Sequence, residues 1–326
     1  MTTVSARSYV PLRPPVETTP VRMAFVGQST YFDYCSLEVP AGGIVPAFVD
    51  YRYGLDPAPM LERVAAFRPD VIFAWRPEIF PPGVFDDFRA LTVGYLTEPI
   101  PRSADGAHPD LERRMRDLEM LDAGSWDRIV SFDPLVADTV DRIAPVWRSF
   151  ALPVSDRFFM TPHVRRARPR TLFTGRSTEH RESFLASAKH EYDVIHIVHG
   201  VTDERLLGFL REEVDIGLNL HNEPYPSFEN RVCVYAAAGL LVVSEPLSPT
   251  HGLEPGIDYL EVRNAFELLR VLWETRENVR AFDRIRIRAR SKAERYRASR
   301  VFPALVGDLV RDVRAFGSGR RRRGHR

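Results

Sequence analysis

Lysine is almost absent from this chain. Lys189 and Lys292 are the only two among 45 basic residues, so its positive charge is carried by arginine. Arginine offers a planar fork of donors that matches phosphate oxygens, whereas lysine offers a single hydrated point charge. Cysteine is as scarce, at two residues in 326. Cys35 and Cys233 lack CxxC spacing and are read as buried free thiols in a reducing cytosol, not as a disulfide or a zinc site. Long apolar runs are missing as well: "GLLVV" (239–243) falls far short of the roughly 20 residues of a membrane span. No GxGxxG follows a candidate strand, and there is no P-loop, GxSxG elbow, HExxH or metal-binding DxD pair. The familiar dinucleotide, P-loop, serine-hydrolase and zinc-protease chemistries are therefore excluded as readings.

What remains is a balanced, soluble composition. The net charge is +1, with 44% hydrophobic and 27% charged residues, and the length suits two domains. The first twenty residues are polar and proline-bearing and are expected to form a disordered arm; they contain no apolar signal-peptide core. The last ten, "GSGRRRRGHR" (317–326), are expected to be a disordered basic tail. That tail offers weak contact with an anionic membrane, and no specific nucleic acid is expected. The expected location is the cytoplasm, with a peripheral position at the inner face of the membrane as the variant.

Short apolar runs alternate with helical patterns from residue 21 to about 275. Runs such as "VRMAFVG" (21–27), "DVIFAW" (70–75) and "LTVGYL" (91–96) read as strands, with helices over 57–67, 109–123 and 134–143 among them. A proline- and arginine-rich stretch at 153–169 reads as a linker. A second series follows, from "RTLFTG" (170–175) to "DYLEV" (258–262), with closing helices over 264–276, 278–298 and 301–315. Such alternation implies an α/β protein with two doubly wound Rossmann-like domains facing a central cleft, over 21–160 and 161–300, then a separate C-terminal helix at 301–316. Ligands of such folds bind where strands end.

Three loops leave strands with anion-binding chemistry. In "TGRSTEHRESFL", Gly175 permits a turn while Arg176 and Arg181 bracket a helix start, a reasonable diphosphate site. The alternative pairs Arg181 with Glu179 or Glu182 on an exposed face. In "VHGVTDERLLGFL", His199 and Gly200 form a loop that suits a nucleobase edge, with Thr202 as candidate N-cap; it equally reads as a plain connection. The third unit is "HNEPYPSFENRVCVYAAAGLLVVSEPLSPTHGLEPG" (221–256). His221 opens a loop that enters a helix, with Ser227 as its expected N-cap and Glu229, Asn230 and Arg231 at its tip. The small residues Ala236–Gly239 are expected to bring the helix close to the sheet. Ser248, Thr250, His251 and Gly252 emerge from the next strand on the same side. In the first half, Gly27, Gln28 and Ser29 end one strand and should line the cleft, and Arg76 and Glu78 follow another. Glu98 is the candidate base.

This order of elements resembles the GT-B glycosyltransferases. The resemblance rests on "SFALPVSDRFF" (149–159), "LFTGRSTEHRESFL" (172–185) and the 215–262 segment, and is closest to the branch of spore-maturation-type enzymes. It covers residues 127–300 well and the first domain in outline. It implies a nucleoside-diphosphate sugar as donor substrate and no cofactor. Arg176 and Arg181 would approach the diphosphate and the 199–202 loop the base. Ser227, Asn230 and Arg231 would approach diphosphate or sugar, and the 248–252 loop the phosphates. The acceptor would be a glycan, a lipid-linked sugar or a small molecule. One departure stands out: the two glutamates usual in retaining members fall on Pro226 and Val234, leaving Glu229 one turn earlier. Without metal ligands, Arg231 and its neighbours would be the electrophilic groups. A nucleotide-sugar epimerase and a non-catalytic nucleotide-sugar-binding scaffold are the rival readings.

Overall fold

A computed structural model describes residues 20–102, 111–161, 166–198 and 203–320. The first domain runs β1 (Val21–Gly27), α1 (Ser29–Phe32), β2 (Ile44–Asp50), α2 (Ala58–Phe67), β3 (Val71–Trp75), β4 (Leu91–Leu96), α3 (Leu111–Glu119), β5 (Arg128–Ser131), α4 (Ala137–Val140) and β6 (Val146–Ser149). The second runs β7 (Thr171–Thr174), α5 (Glu179–Glu191), β8 (Val194–Ile197), α6 (Asp203–Gly208), β9 (Ile216–Asn219), α7 (Asn230–Ala237), β10 (Leu241–Ser244), β11 (Leu260–Glu261), α8 (Ala265–Glu277) and α9 (Asp283–Ala293). A last helix, α10 (Ala298–Phe316), closes the chain.

Both sheets are parallel, in the orders β2-β1-β3-β4-β5-β6 and β11-β10-β9-β7-β8. Counted within each domain, the order is the same: the second strand lies outside the first, and the third and later strands lie on its other side. The direction of winding therefore reverses between β1 and β3, and again between β7 and β9. At such a point neighbouring loops diverge to opposite faces and open a crevice at the carboxyl ends. Burial follows the pleat. Phe25, Phe73 and Trp75 enter one core while Val26, Ile72 and Ala74 enter the other, against Met60 and Val64 of α2.

The C-terminal helix, expected to stand apart, instead crosses back and covers the first sheet. A parallel bridge between Val154 and Arg297 lies just before it. Phe302 then packs edge-on against Phe25 and Phe73, with ring centres 4.6 and 5.4 Å away. Leu305, Leu309 and Val313 continue the same buried stripe. Arg148 pairs with Asp308 at 2.6 Å, and Arg128 with Asp312. Gly42 sits beneath Pro303 at φ +56°; a Cβ there would lie 2.4 Å from the proline ring. Residues 317–320 do not belong to a disordered tail either. Ser318 donates to Asp127, and buried Arg320 donates to the carbonyls of Phe85, Phe88 and Ala90. Residues 1–19 and 321–326 lie outside the described residues.

Several boundaries shift for local reasons. The helix expected over 134–143 begins as a 3-10 turn at Pro134–Val136 and continues as α4, then stops at Val140, where Asp141 accepts from the Val146 amide at 3.0 Å and the chain turns into β6. The strand expected over 258–262 keeps only the two residues of β11. The close approach of α7 to its sheet comes from Gly217 of β9, not from the alanines alone. A Cβ on Gly217 would lie 2.3 Å from the Tyr235 ring. No helix among the described residues is long and apolar enough to cross a membrane.

Candidate functional site

The carboxyl ends of the two sheets face each other across a cleft of about 820 Å³. Its lining comes from both winding-reversal points: Gln28 and Arg76 after β1 and β3, Gly175 and Arg176 after β7, and Asn222 through Arg231 after β9. Seven arginines line it, at 52, 76, 113, 114, 176, 181 and 231, against the three carboxylates Glu98, Glu223 and Glu229. Such a surface favours anionic ligands.

On the second-domain wall the arginines are anchored mostly by neutral groups. Arg181 is buried, so the exposed pairing with Glu179 or Glu182 does not form. Its guanidinium donates to the carbonyls of Leu220 (3.1 Å) and Arg176 (3.0 Å), to Asn222 Oδ1 (3.3 Å) and to Glu229 Oε1 (3.2 Å). Burial, with Arg231 and Arg176 nearby, lowers its pKa to about 10 against the pull of Glu229 and Glu245, so it stays charged at neutral pH. With its donors so committed, Arg181 positions the loop. Arg231 donates to the Leu220 carbonyl at 3.2 Å and to Glu229. Both guanidiniums lie 5.3 Å from the centre of the Phe173 ring. Burial works against ionising Glu229, but Arg231 and Arg181 outweigh it and hold its pKa below the usual carboxylate value. Gly175, at φ +151°, brings the chain within 3.3 Å of the Arg181 fork, counted from where a Cβ would stand. Arg176 reaches Asn222 Oδ1 at 3.1 Å.

Two expectations on this wall are corrected. Ser227 is not the N-cap of α7. Glu229 holds that position without a side-chain cap bond, and the Ser227 hydroxyl meets His221 Nδ1 at 3.0 Å. Asn230 lines the cleft, yet its amide nitrogen is directed across the domain boundary to Cys35 Sγ at 3.0 Å.

The 248–252 loop does touch the Ser227 loop, through a Ser248 amide to Ser227 carbonyl bond of 3.4 Å. None of Ser248, Thr250, His251 or Gly252 lines the cleft, however. Ser248 is clasped by Arg102 of the first domain, which also pairs with Asp133 at 3.0 Å. Thr250 Oγ1 accepts from the Gly252 amide, and the Gly252 carbonyl accepts from Lys292. His251 lies edge-on to Phe228, with ring centres 4.6 Å apart. Its pKa is lowered to about 4 by burial, against a hydrogen bond to the Phe132 backbone. Through Arg102 on Ser248 and the Phe132 backbone on His251, this loop is a latch between the domains. His199, Gly200 and Thr202 lie outside the described residues.

On the first-domain wall, Gln28 lines the cleft while Gly27 and Ser29 support it. A Cβ on Gly27 would lie 2.8 Å from Trp75 Cβ, and the Ser29 amide donates to Asp50 at 2.7 Å. Arg76 is a non-glycine residue at φ +60°, a conformation that costs about 1–3 kcal/mol and concentrates at functional sites. It contacts Glu78 at 2.9 Å, Glu98 at 3.7 Å and Asp117 at 4.0 Å. Glu78 is buried behind it and its pKa is raised by burial despite Arg76. The oxygens of Glu98 face Arg114 at 2.9 Å and Arg76 at 3.7 Å. Glu98 is thus a counterion that orients two arginines.

Sequence reasoning missed Arg52, Arg113, Arg114 and Tyr225 as cleft residues. Arg52 follows strand β2 by two residues, the same signal that singled out Arg76. Arg113 and Arg114 lie on a charged helix that looks like a solvated face. Among the described residues no group of three or more His, Cys, Asp or Glu could hold a metal ion.

No protein-family model matches the chain, and no curated protein matches it in sequence. Solved structures do resemble it. The Anabaena protein HepE with UDP and glucose bound is similar over 90% of this chain and 100% of its own, at 10% identity and a TM-score of 0.53. Sucrose-phosphate synthase from Thermosynechococcus elongatus matches 91% of this chain and 100% of its own, at 10% identity and a TM-score of 0.56. A glycosyltransferase from Rickettsia africae matches 92% and 100%, at 10% identity and a TM-score of 0.54. At this level of identity the likeness is one of fold, and the chain has the two-domain GT-B architecture of those structures.

Proposed function

We propose that this chain is a glycosyltransferase that moves a sugar from a nucleoside-diphosphate sugar to a hydroxyl acceptor, without a metal ion. The observation that carries this reading is the convergence of Arg176, Arg181 and Arg231 at the β7/β9 reversal point, facing the first domain across the cleft. The fold likeness to HepE, crystallised with UDP and with UDP-glucose, supports it. In the reaction the acceptor oxygen bonds to the anomeric carbon while the bond from that carbon to the diphosphate breaks, and the proton of the acceptor hydroxyl passes to the departing diphosphate. Arg231 and Arg176 stabilise the charge gathering on the departing diphosphate, held in place beforehand by Arg181, Asn222 and Glu229. The acceptor, a glycan, lipid-linked sugar or small molecule, rests on the wall of Gln28, Arg76 and Arg114. The protein works in the cytoplasm, with its basic end as a contact to anionic membrane.

A second reading is a nucleotide-sugar epimerase, favoured by likeness to a Listeria monocytogenes structure described as a putative UDP-N-acetylglucosamine 2-epimerase (11% identity, TM-score 0.50). Incubation with UDP-, GDP- and dTDP-sugars and a panel of hydroxyl acceptors, followed by mass analysis and chromatographic separation of isomers, separates the two. A transferase yields free nucleoside diphosphate and a heavier acceptor. An epimerase yields an isomeric sugar with no acceptor. Stabilisation by nucleotide without either product would make the chain a binding scaffold.

A further inference from the structure

The Ser227–His221 pair settles what kind of ligand atom can meet Ser227. His221 is buried two residues beyond β9, and its Nε2 lies 2.9 Å from the Pro246 carbonyl. A carbonyl oxygen only accepts, so Nε2 carries the ring proton. Burial pushes the His221 pKa down, against Glu245, the Pro246 carbonyl and Glu229, with Arg231 adding to the lowering; the ring is neutral near pH 7. Nδ1 is then a bare lone pair, and the contact of 3.0 Å to Ser227 is a hydrogen bond donated by the serine. Glu245 holds the arrangement from behind, accepting from the His221 backbone amide at 2.6 Å and from His180 Nε2 at 2.8 Å.

Serine has one proton to give, and it goes to His221. Among the described residues no other side chain or backbone group hydrogen-bonds Ser227 Oγ. Ser227 stands in the cleft lining between Tyr225 and the Glu229–Arg231 corner. We infer that Ser227 is a specificity-determining acceptor, matched to a hydroxyl of the donor substrate and mismatched to its phosphates, and that His221 is the positioning residue that imposes this polarity. A phosphate oxygen placed there would set lone pair against lone pair. This deepens the donor-site reading and rests on it. It also divides the labour: arginines take the diphosphate, and Ser227 takes a hydroxyl of the sugar or of the ribose.

The test titrates the full chain, as wild type, Ser227→Ala and Ser227→Thr, with inorganic pyrophosphate, UDP and UDP-glucose. Pyrophosphate has no hydroxyl, so its affinity is expected to stay within about 2-fold in Ser227→Ala. UDP-glucose is expected to weaken about 3- to 10-fold, the range of one neutral hydrogen bond, with recovery in Ser227→Thr. Loss for UDP-glucose alone assigns the hydroxyl to the sugar; equal loss for UDP assigns it to the ribose. Pyrophosphate weakening as much as UDP-glucose would overturn the inference while leaving the donor site standing. Wild type binding neither these three nor GDP or dTDP would overturn the donor-site reading and this inference with it. A nitrogen-15 spectrum of His221 at neutral pH should show Nε2 protonated and Nδ1 bare; a protonated Nδ1 would overturn the assignment, whatever the ligands do.

Discussion

The two walls of the cleft are built on the same strand order and carry arginines at the same ends, yet they anchor them differently. On the second-domain wall, Arg181 and Arg231 donate largely to backbone carbonyls and to Asn222, and share one carboxylate, Glu229. On the first-domain wall, Arg76 and Arg114 face Glu78, Glu98 and Asp117. Carbonyl anchoring fixes geometry and leaves the positive charge available. Carboxylate anchoring fixes geometry and cancels the charge. Under the proposed function, the carbonyl-anchored wall suits the diphosphate and the carboxylate-paired Arg76 and Arg114 suit a hydroxyl acceptor.

Removing the shared carboxylate should break the contrast most strongly. Glu229→Ala leaves the buried Arg181 and the half-buried Arg231 guanidiniums side by side without their shared carboxylate. A fully buried pair costs about 3–5 kcal/mol to break, and partial exposure brings this one towards the lower end; chemical denaturation of the variant measures it. Next comes Arg231→Ala, expected to weaken UDP by about 1.5–3 kcal/mol as a charged hydrogen bond is lost, with Arg114→Ala leaving UDP affinity nearly unchanged. Equal losses in calorimetry would mean the walls do not differ.

A third prediction concerns the latch. His251 has a folded pKa of about 4, below its unfolded value. The unfolded chain therefore binds more protons between about pH 6.5 and pH 4, so stability is present above that window and falls as pH drops through it. The loss should reach about 2 kcal/mol, allowing for partial exposure. His251→Asn, which tolerates the positive φ of +48°, should flatten the dependence of the melting temperature over that window. Smallest of all, Glu98→Gln disrupts a partly exposed ion pair and should change stability by less than about 1 kcal/mol, read by chemical denaturation.

Much of this was legible from local pattern. Strands such as "DVIFAW" and "LTVGYL" announce themselves because a parallel sheet covered on both faces needs continuous apolar runs. Arg176 was found because it follows closely on a strand end, and Arg181 and Arg231 because each lies in the first turn of the helix after a strand. The return of α10 was not legible, since an amphipathic stripe does not say which sheet it will cover. Nor was the diversion of Ser227 from capping to His221, which depends on a ring six residues away folding back. The 248–252 loop failed for a related reason: its polar groups looked ready for phosphate, but Arg102, 146 positions earlier, had already engaged Ser248. Contacts at such separations have no periodic signature in sequence.

The central claim is that the arginines of the second wall hold a nucleoside diphosphate. Calorimetric titration of the folded full-length chain with UDP, GDP and dTDP tests it directly. The account predicts one-to-one binding of at least one of them, lost or strongly weakened in Arg231→Ala; no heat of binding from any of the three with the folded wild-type protein would contradict it.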